Sequence, residues 1–106
     1  MHSHEIILEN FKKYGIDARS IDIFHLRGSS NENPNRFFPR DVLNQNEISP
    51  KGGKTVAILE IDGHRFTAES VCSPKESFNR RKGVTIALRR LYKNFVHHKK
   101  QNQNAN

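Results

Sequence analysis

Apolar residues at helical spacing mark the first element of the chain. Ile7, Leu8, Phe11 and Tyr14 lie at positions i, i+1, i+4 and i+7 and form one apolar stripe. Gly15 follows directly and can adopt the left-handed conformation that ends a helix. The spacing therefore predicts a helix over residues 4–14.

A longer apolar stripe in the last third of the chain predicts a second helix. Its members lie within about 40° of one line at 100° per residue, and they are Val84, Ala87, Leu88, Leu91 and Phe95. Ser73, Pro74 and Glu76 match a capping box with proline at the first helical position, so we expect this helix to begin at Pro74. Gly83 lies inside it and costs about 1 kcal/mol relative to alanine, so we expect close packing there, against either the sheet or an approaching partner.

Alternating apolar and polar residues predict a β-hairpin in the middle of the chain. Residues 55–61 and 64–72 alternate on either side of Asp62-Gly63, a sequence typical of a two-residue type I′ turn. Such a turn sets Ile61 opposite His64 and Glu60 opposite Arg65. This pairing gives one apolar face to bury and one face for solvent.

Residues 20–26 alternate in the same way and predict a further strand. Residues 28–54 are rich in Asn, Pro and Gly, which predicts a long loop that is either functional or mobile. We expect one helical turn over residues 36–43 of this loop. Phe37 and Phe38 then either anchor the loop on the core or, together with Arg40, bind a partner.

These elements follow one another in the order α-β-β-β-α. We expect a single α+β domain over residues 1–100, with a three-stranded antiparallel sheet and two helices packed on one of its faces. Residues 101–106 have the composition of a disordered tail. A length of 106 residues supports one modest core.

Charge is distributed unevenly along the chain. Residues 1–73 carry nine Lys/Arg against ten Asp/Glu, whereas residues 74–106 carry nine Lys/Arg against Glu76 alone. This concentration is typical of a protein that binds polyanions, although a solvated helix face gives the same pattern. We expect phosphate contacts from five residues of the second helix: Arg80, Arg81, Lys82, Arg89 and Lys93.

The residue patterns of enzymes and metal sites are missing from the sequence. Cys72 has no second cysteine to pair with, and the histidines match no zinc-ligand spacing. No apolar run approaches the roughly 20 residues that span a bilayer. We therefore expect a non-enzymatic cytoplasmic protein without a metal, another cofactor or a membrane partner.

The element order and the second helix resemble the double-stranded-RNA-binding domain. That family carries a Lys-Lys-x-Ala-Lys-x-x-Ala-Ala-x-x-Ala-Leu pattern whose basic residues contact phosphates across the major groove. Arg80 and Arg81 stand at the paired lysines and Gly83 at the small position, whereas Val84 replaces a basic residue. The family's Gly-Pro-x-His loop is missing, so its minor-groove contact is not carried over. The resemblance implies recognition of duplex RNA by its shape.

A second resemblance is to small phage and prophage proteins of unassigned role. Their pattern runs Gly-x-Ala-x-Cys-x-Pro-x-Asp-x-Phe, then Gly, then Ile-Ala-x-x-Arg-Ala-Leu. The matching residues are Cys72, Pro74, Phe78, Gly83, Ile86, Ala87, Arg90 and Leu91. This resemblance implies a phage protein that acts on a component of the host cytoplasm.

Two functions are therefore open. One is a module that binds duplex RNA or DNA through phosphate contacts. The other is a phage-type protein that uses its basic helix and the Phe37–Leu43 segment to bind an acidic host protein and inhibit or redirect it.

Overall fold

The computed structural model describes residues 4–30, 36–39 and 42–104. These residues form two α-helices and four strands, and their bounds in chain order are α1 (His4–Lys12), β1 (Ile21–Arg27), β2 (Phe38–Pro39), β3 (Lys54–Ile61), β4 (His64–Val71) and α2 (Arg80–Asn104). All neighbouring strands are antiparallel and follow the order β2-β1-β3-β4. The α+β class is confirmed, but the sheet has four strands where three were predicted.

The β3–β4 hairpin forms in the predicted register. Ile61 pairs with His64, and Glu60 pairs with Arg65, whose Nε lies 3.6 Å from the carboxylate. The turn residues Asp62 and Gly63 have φ angles of 52° and 78°, as a type I′ turn requires. Glycine adopts this conformation without a steric cost, and aspartate tolerates it.

Residues of α1, α2 and one face of the sheet form a single hydrophobic core. Ala57 and Leu59 on β3 are fully buried, as are Phe11 on α1 and Leu91 on α2. On the other face of the sheet, Phe24 remains 51% exposed. The sheet is therefore covered on one face only, as the alternation in the hairpin predicted.

Helix α2 begins at Arg80, so the predicted start at Pro74 is wrong. Ser73 makes the local turn that its sequence favours, because its carbonyl accepts from the backbone N–H of Glu76 at 3.0 Å. That turn does not continue as a helix. Asn79 is the residue that caps α2, and its Oδ1 accepts from the backbone N–H of Lys82 at 3.0 Å.

The residues just before α2 are held by the segment that precedes β3. The N–H of Gly52 donates to the carbonyl of Glu76, and the N–H of Phe78 donates to the carbonyl of Pro50, both at 2.9 Å. These bonds use backbone groups that a helix starting at Pro74 would need for itself. Lys75, which a helix starting at Pro74 would include, is therefore in a loop.

Strand β2 is an addition that the sequence did not predict. Phe38 pairs with Arg27, and Pro39 pairs with Leu26 at the edge of the sheet. Proline is tolerated there because an edge strand leaves one side of its backbone unpaired. The predicted helical turn over residues 36–43 is therefore wrong at these two positions.

Two hydrogen bonds join the residues just before the segment that contains β2 to the residues just after it. The N–H of Ser30 donates to the carbonyl of Glu47 at 2.7 Å, and the N–H of Ser49 donates to the carbonyl of Gly28 at 2.9 Å.

Helix α2 continues to Asn104, so four residues of the expected tail are helical. Disorder of the tail in solution stays a prediction.

Candidate nucleic-acid interface

Helix α2 carries eight Lys/Arg and no Asp/Glu. Lys82, Arg89 and Lys93 are exposed and lie at i, i+7 and i+11, which places them on one side of the helix. At 1.5 Å per residue, Lys82 and Lys93 are separated by about 16 Å along the helix axis. We call these three residues the α2 ridge.

The ridge lies away from the core because the buried residues of α2 follow a different stripe. Ala87, Leu88 and Leu91 are at most 2% exposed, whereas Arg89 between them is exposed. The predicted apolar stripe of this helix is therefore confirmed at these three positions. The core orients the helix, and the ridge faces solvent as a consequence.

Arg80 and Arg81 lie in the first turn of α2 rather than in its middle. Both side chains are exposed, and no acidic residue lies in this turn. The N-terminus of a helix already carries partial positive charge, so a cation there destabilises the helix by about 0.3–1 kcal/mol at low ionic strength. This end of α2 is therefore more positive than the count of its side chains indicates.

Within the described residues, none of the five predicted basic side chains forms an ion pair. The solvent face of the sheet differs in this respect. There Lys54 Nζ lies 2.8 Å from Glu69 Oε2, and Arg65 lies beside Glu60. Positive charge is thus balanced on the sheet and unbalanced on α2.

Arg90 belongs to the packing of α2 rather than to the ridge. Its Nη1 donates to the carbonyl of Glu69 at 2.8 Å, and Nδ2 of Asn94 donates to the carbonyl of Thr67 at 3.3 Å. Both carbonyls belong to β4, an edge strand of the sheet. The two side chains therefore cover an edge that would otherwise be open to another strand.

Gly83 lets α2 lie directly on β3. A Cβ at this position would overlap Oγ1 of Thr55 and would lie 3.3 Å from Cβ of the same residue. The close packing that glycine predicted here is confirmed. This contact brings the first turn of α2 close to the last residues of β1 and the first residues of β3.

A cluster that the sequence did not reveal lies beneath this first turn. Nδ1 of His25 is 3.1 Å from Oγ1 of Thr55, and the His25 ring meets the Phe78 ring edge-on at 5.8 Å. The Arg27 guanidinium lies 4.3 Å above the Phe78 ring. Burial, and then the charges of Arg80 and Arg27, lower the pKa of His25 below its usual value.

The cluster joins residues that are far apart in the sequence, which is why no local pattern predicted it. The alternation of β1 indicated only that His25 and Phe24 point to opposite faces of the sheet. The contact with Phe78 depends on the tethered loop before α2.

The predicted partner-binding residues are only partly accessible. Phe37 and Phe38 are half-buried, and the Arg36 guanidinium lies 5.3 Å from the centre of the Phe38 ring. Arg40 lies outside the described residues. Partner binding by this segment stays a prediction.

Cys72 lies in the loop that leads to α2 and is half-buried. Its Sγ is 3.5–3.7 Å from the carbonyls of Ser73, Glu76 and Ser77. These weak contacts link the two ends of the loop. The described part of the chain holds no group of three side chains able to bind a metal ion.

Over the same part of the chain, neither helix is sufficiently long and apolar to cross a bilayer. No family model, curated protein or solved structure matches the chain. The likeness to the double-stranded-RNA-binding domain therefore rests on the order of the elements and on the residues of α2, and it stays a hypothesis.

Proposed function

We propose that this protein is a non-enzymatic module that binds a nucleic-acid duplex through phosphate contacts along α2. One observation carries the proposal. Five exposed basic side chains lie on one helix that has no acidic residue, and none of them is ion-paired within the described residues.

The position of Arg80 and Arg81 supports an anionic partner. Two cations at a helix N-terminus are unfavourable for the isolated domain. A phosphate group bound at this end would interact favourably with both guanidinium groups and with the helix dipole. Arginine is well suited to this contact because its planar fork can donate two parallel hydrogen bonds to one phosphate.

The length of the basic surface matches a polyanion rather than a single small anion. A duplex carries one charge per about 1.7 Å of its axis, so a length of roughly 16 Å, the distance between Lys82 and Lys93, holds about nine phosphates on its two strands together. Three ridge cations and two cations in the first turn therefore have enough partners on one duplex.

Phosphate contacts of this kind fix a protein on a duplex without reading its sequence. We therefore expect little discrimination between sequences of equal length. The resemblance of α2 to the double-stranded-RNA-binding domain favours duplex RNA over duplex DNA, with recognition of the shape of the A-form helix.

The test is a fluorescence-anisotropy titration of labelled duplex RNA and duplex DNA with two double variants. Arg80→Ala/Arg81→Ala removes the first-turn cations, and we expect it to weaken binding about tenfold or more. Arg19→Ala/Arg65→Ala removes the same charge and the same residue type from exposed positions outside α2. We expect this control to bind almost as the wild type does.

A thermal melt of each variant shows that the fold is kept. Equal weakening by both double variants would mean that net charge alone drives binding. Failure of the wild type to bind either duplex at low salt would refute the proposal. It would leave the rival function, in which the same helix binds an acidic host protein.

A further inference from the structure

A cavity of about 530 Å³ opens beside the first turn of α2. It lies between α2, the end of β4 and the loop over residues 72–79. Its volume is in the range of sites that hold small molecules, which is about 300–1,000 Å³. Of the binding residues predicted from the sequence, only Lys82 lies on its wall.

Ser70 contributes a hydroxyl to the wall of this cavity. It lies on the wall, is 7% exposed and is paired with Thr55 on the helix-covered face of the sheet. Among the described residues its hydroxyl has no hydrogen-bond partner, whereas the Thr55 hydroxyl is bonded to His25. The hydroxyl opens onto the cavity, where it can donate to or accept from a bound molecule.

The other residues on the wall favour a ligand that is a neutral ring with polar edges. Phe78 and Ile86 contribute apolar surface, and Asn79 contributes an amide. Glu76 and Lys82 both line the cavity, so its wall carries no net charge and favours a neutral ligand. A nucleobase has the required chemistry, because its faces are apolar and its edges carry donors and acceptors.

Lys82 connects the cavity to the surface described above. It is the first residue of the α2 ridge and also part of the cavity wall. A nucleic-acid strand whose phosphates follow the ridge therefore passes the mouth of the cavity. Bases inside a duplex cannot turn into it, whereas an unpaired nucleotide at the end of a strand can.

We propose that this cavity holds an unpaired nucleobase next to the bound duplex. This inference rests on the proposed function, because it requires a strand on the α2 ridge. It adds a preference for duplex ends that carry an unpaired nucleotide.

The experiment compares one blunt RNA duplex with the same duplex extended by a single unpaired 2-aminopurine nucleotide, at either the 5′ or the 3′ end. We expect one of the two extended duplexes to bind about fivefold more tightly than the blunt one. We also expect the fluorescence of its 2-aminopurine to change on binding.

Two variants locate the effect. Ile86→Trp fills the cavity and Ser70→Ala removes only the hydroxyl, while both keep all the basic residues of α2. We expect Ile86→Trp to abolish the preference for the extended duplex and Ser70→Ala to reduce it. Both should bind the blunt duplex as the wild type does. If Ile86→Trp does not fold, Ser70→Ala decides the outcome.

The failures of the two proposals are distinguishable. Equal binding of blunt and extended duplexes by the wild type would overturn the base site and leave the proposed function intact. A preference that persists in both variants would also overturn it, because the base would then bind elsewhere. Binding of none of these duplexes would refute both proposals.

Discussion

Gly83 lies where α2 packs directly on β3, and its substitution sets two effects against each other. Alanine is the better helix former by about 1 kcal/mol. Its Cβ would nevertheless overlap Oγ1 of Thr55, a fully buried residue. We expect the overlap to dominate, so that Gly83→Ala lowers the free energy of unfolding by about 1–3 kcal/mol in urea melts.

A double-mutant cycle isolates this contact. Thr55→Ala removes the atom that the new Cβ would meet, so Gly83→Ala should be less destabilising in that background. A Gly83→Ala variant more stable than the wild type would show that α2 does not lie as close to β3 as described.

Leu88 and Arg89 are neighbours on opposite sides of α2, and they test the orientation of the helix. Leu88 is 2% exposed and belongs to the core, so Leu88→Ala should cost about 2–5 kcal/mol. Arg89 is exposed, so Arg89→Ala should cost under about 0.5 kcal/mol in stability and act on binding instead. Urea melts with duplex titrations measure both quantities. If Arg89→Ala destabilised the protein more than Leu88→Ala, the ridge would have to lie in the core.

His25 makes stability depend on pH. Its pKa in the folded protein is below the usual 6.5 because of burial and the charges of Arg80 and Arg27. Above pH 6.5 the ring is neutral in both the folded and the unfolded chain. As the pH falls below 6.5, the unfolded chain takes up a proton first, so the free energy of unfolding decreases.

The variant His25→Asn keeps a polar group near Thr55 without a titratable ring. We expect its stability to fall less than that of the wild type between pH 7 and pH 5, as measured by urea melts. The comparison removes the contribution of the other histidines, which both proteins share. An identical loss in the two proteins would show that His25 titrates normally.

At the scale of elements, the features that depend on residues close together in the chain were predicted correctly. The β3–β4 hairpin was predicted with its register because the turn and both strands are contiguous in the chain. The burial of Leu88 and the exposure of Arg89 were also predictable, since helical spacing alone separates them.

Elements that depend on distant contacts were not predicted. Ser73 and Asn79 are both good helix caps, and the sequence favoured Ser73. The choice of Asn79 follows from backbone bonds of Glu76 and Phe78 to the segment before β3. Strand β2 has only two residues, too few to alternate, and its proline argues against any strand except an edge strand.

At the scale of the molecule, the candidate basic surface was predictable and the cavity was not. Exposed cations can be predicted from the sequence alone, because solvent-exposed charges need no partner elsewhere in the chain. Ser70, by contrast, belongs to no motif, and it lines a cavity only because the loop before α2 brings Phe78 and Asn79 beside it.

Helix α2 is long relative to the whole molecule. The molecule measures 52 × 30 × 22 Å, and the 25 residues of α2 give a helix of about 37 Å. The helix is therefore more than half as long as the longest dimension of the molecule.

The most direct test of the proposed function is the salt dependence of duplex binding. If five phosphates are neutralised, the logarithm of the affinity should fall with the logarithm of the salt concentration with a slope of about −4.5. Arg80→Ala/Arg81→Ala should reduce the slope to about −2.7, whereas Arg19→Ala/Arg65→Ala should leave it unchanged. A slope near zero, or equal slopes for the wild type and the first variant, would contradict phosphate binding by α2.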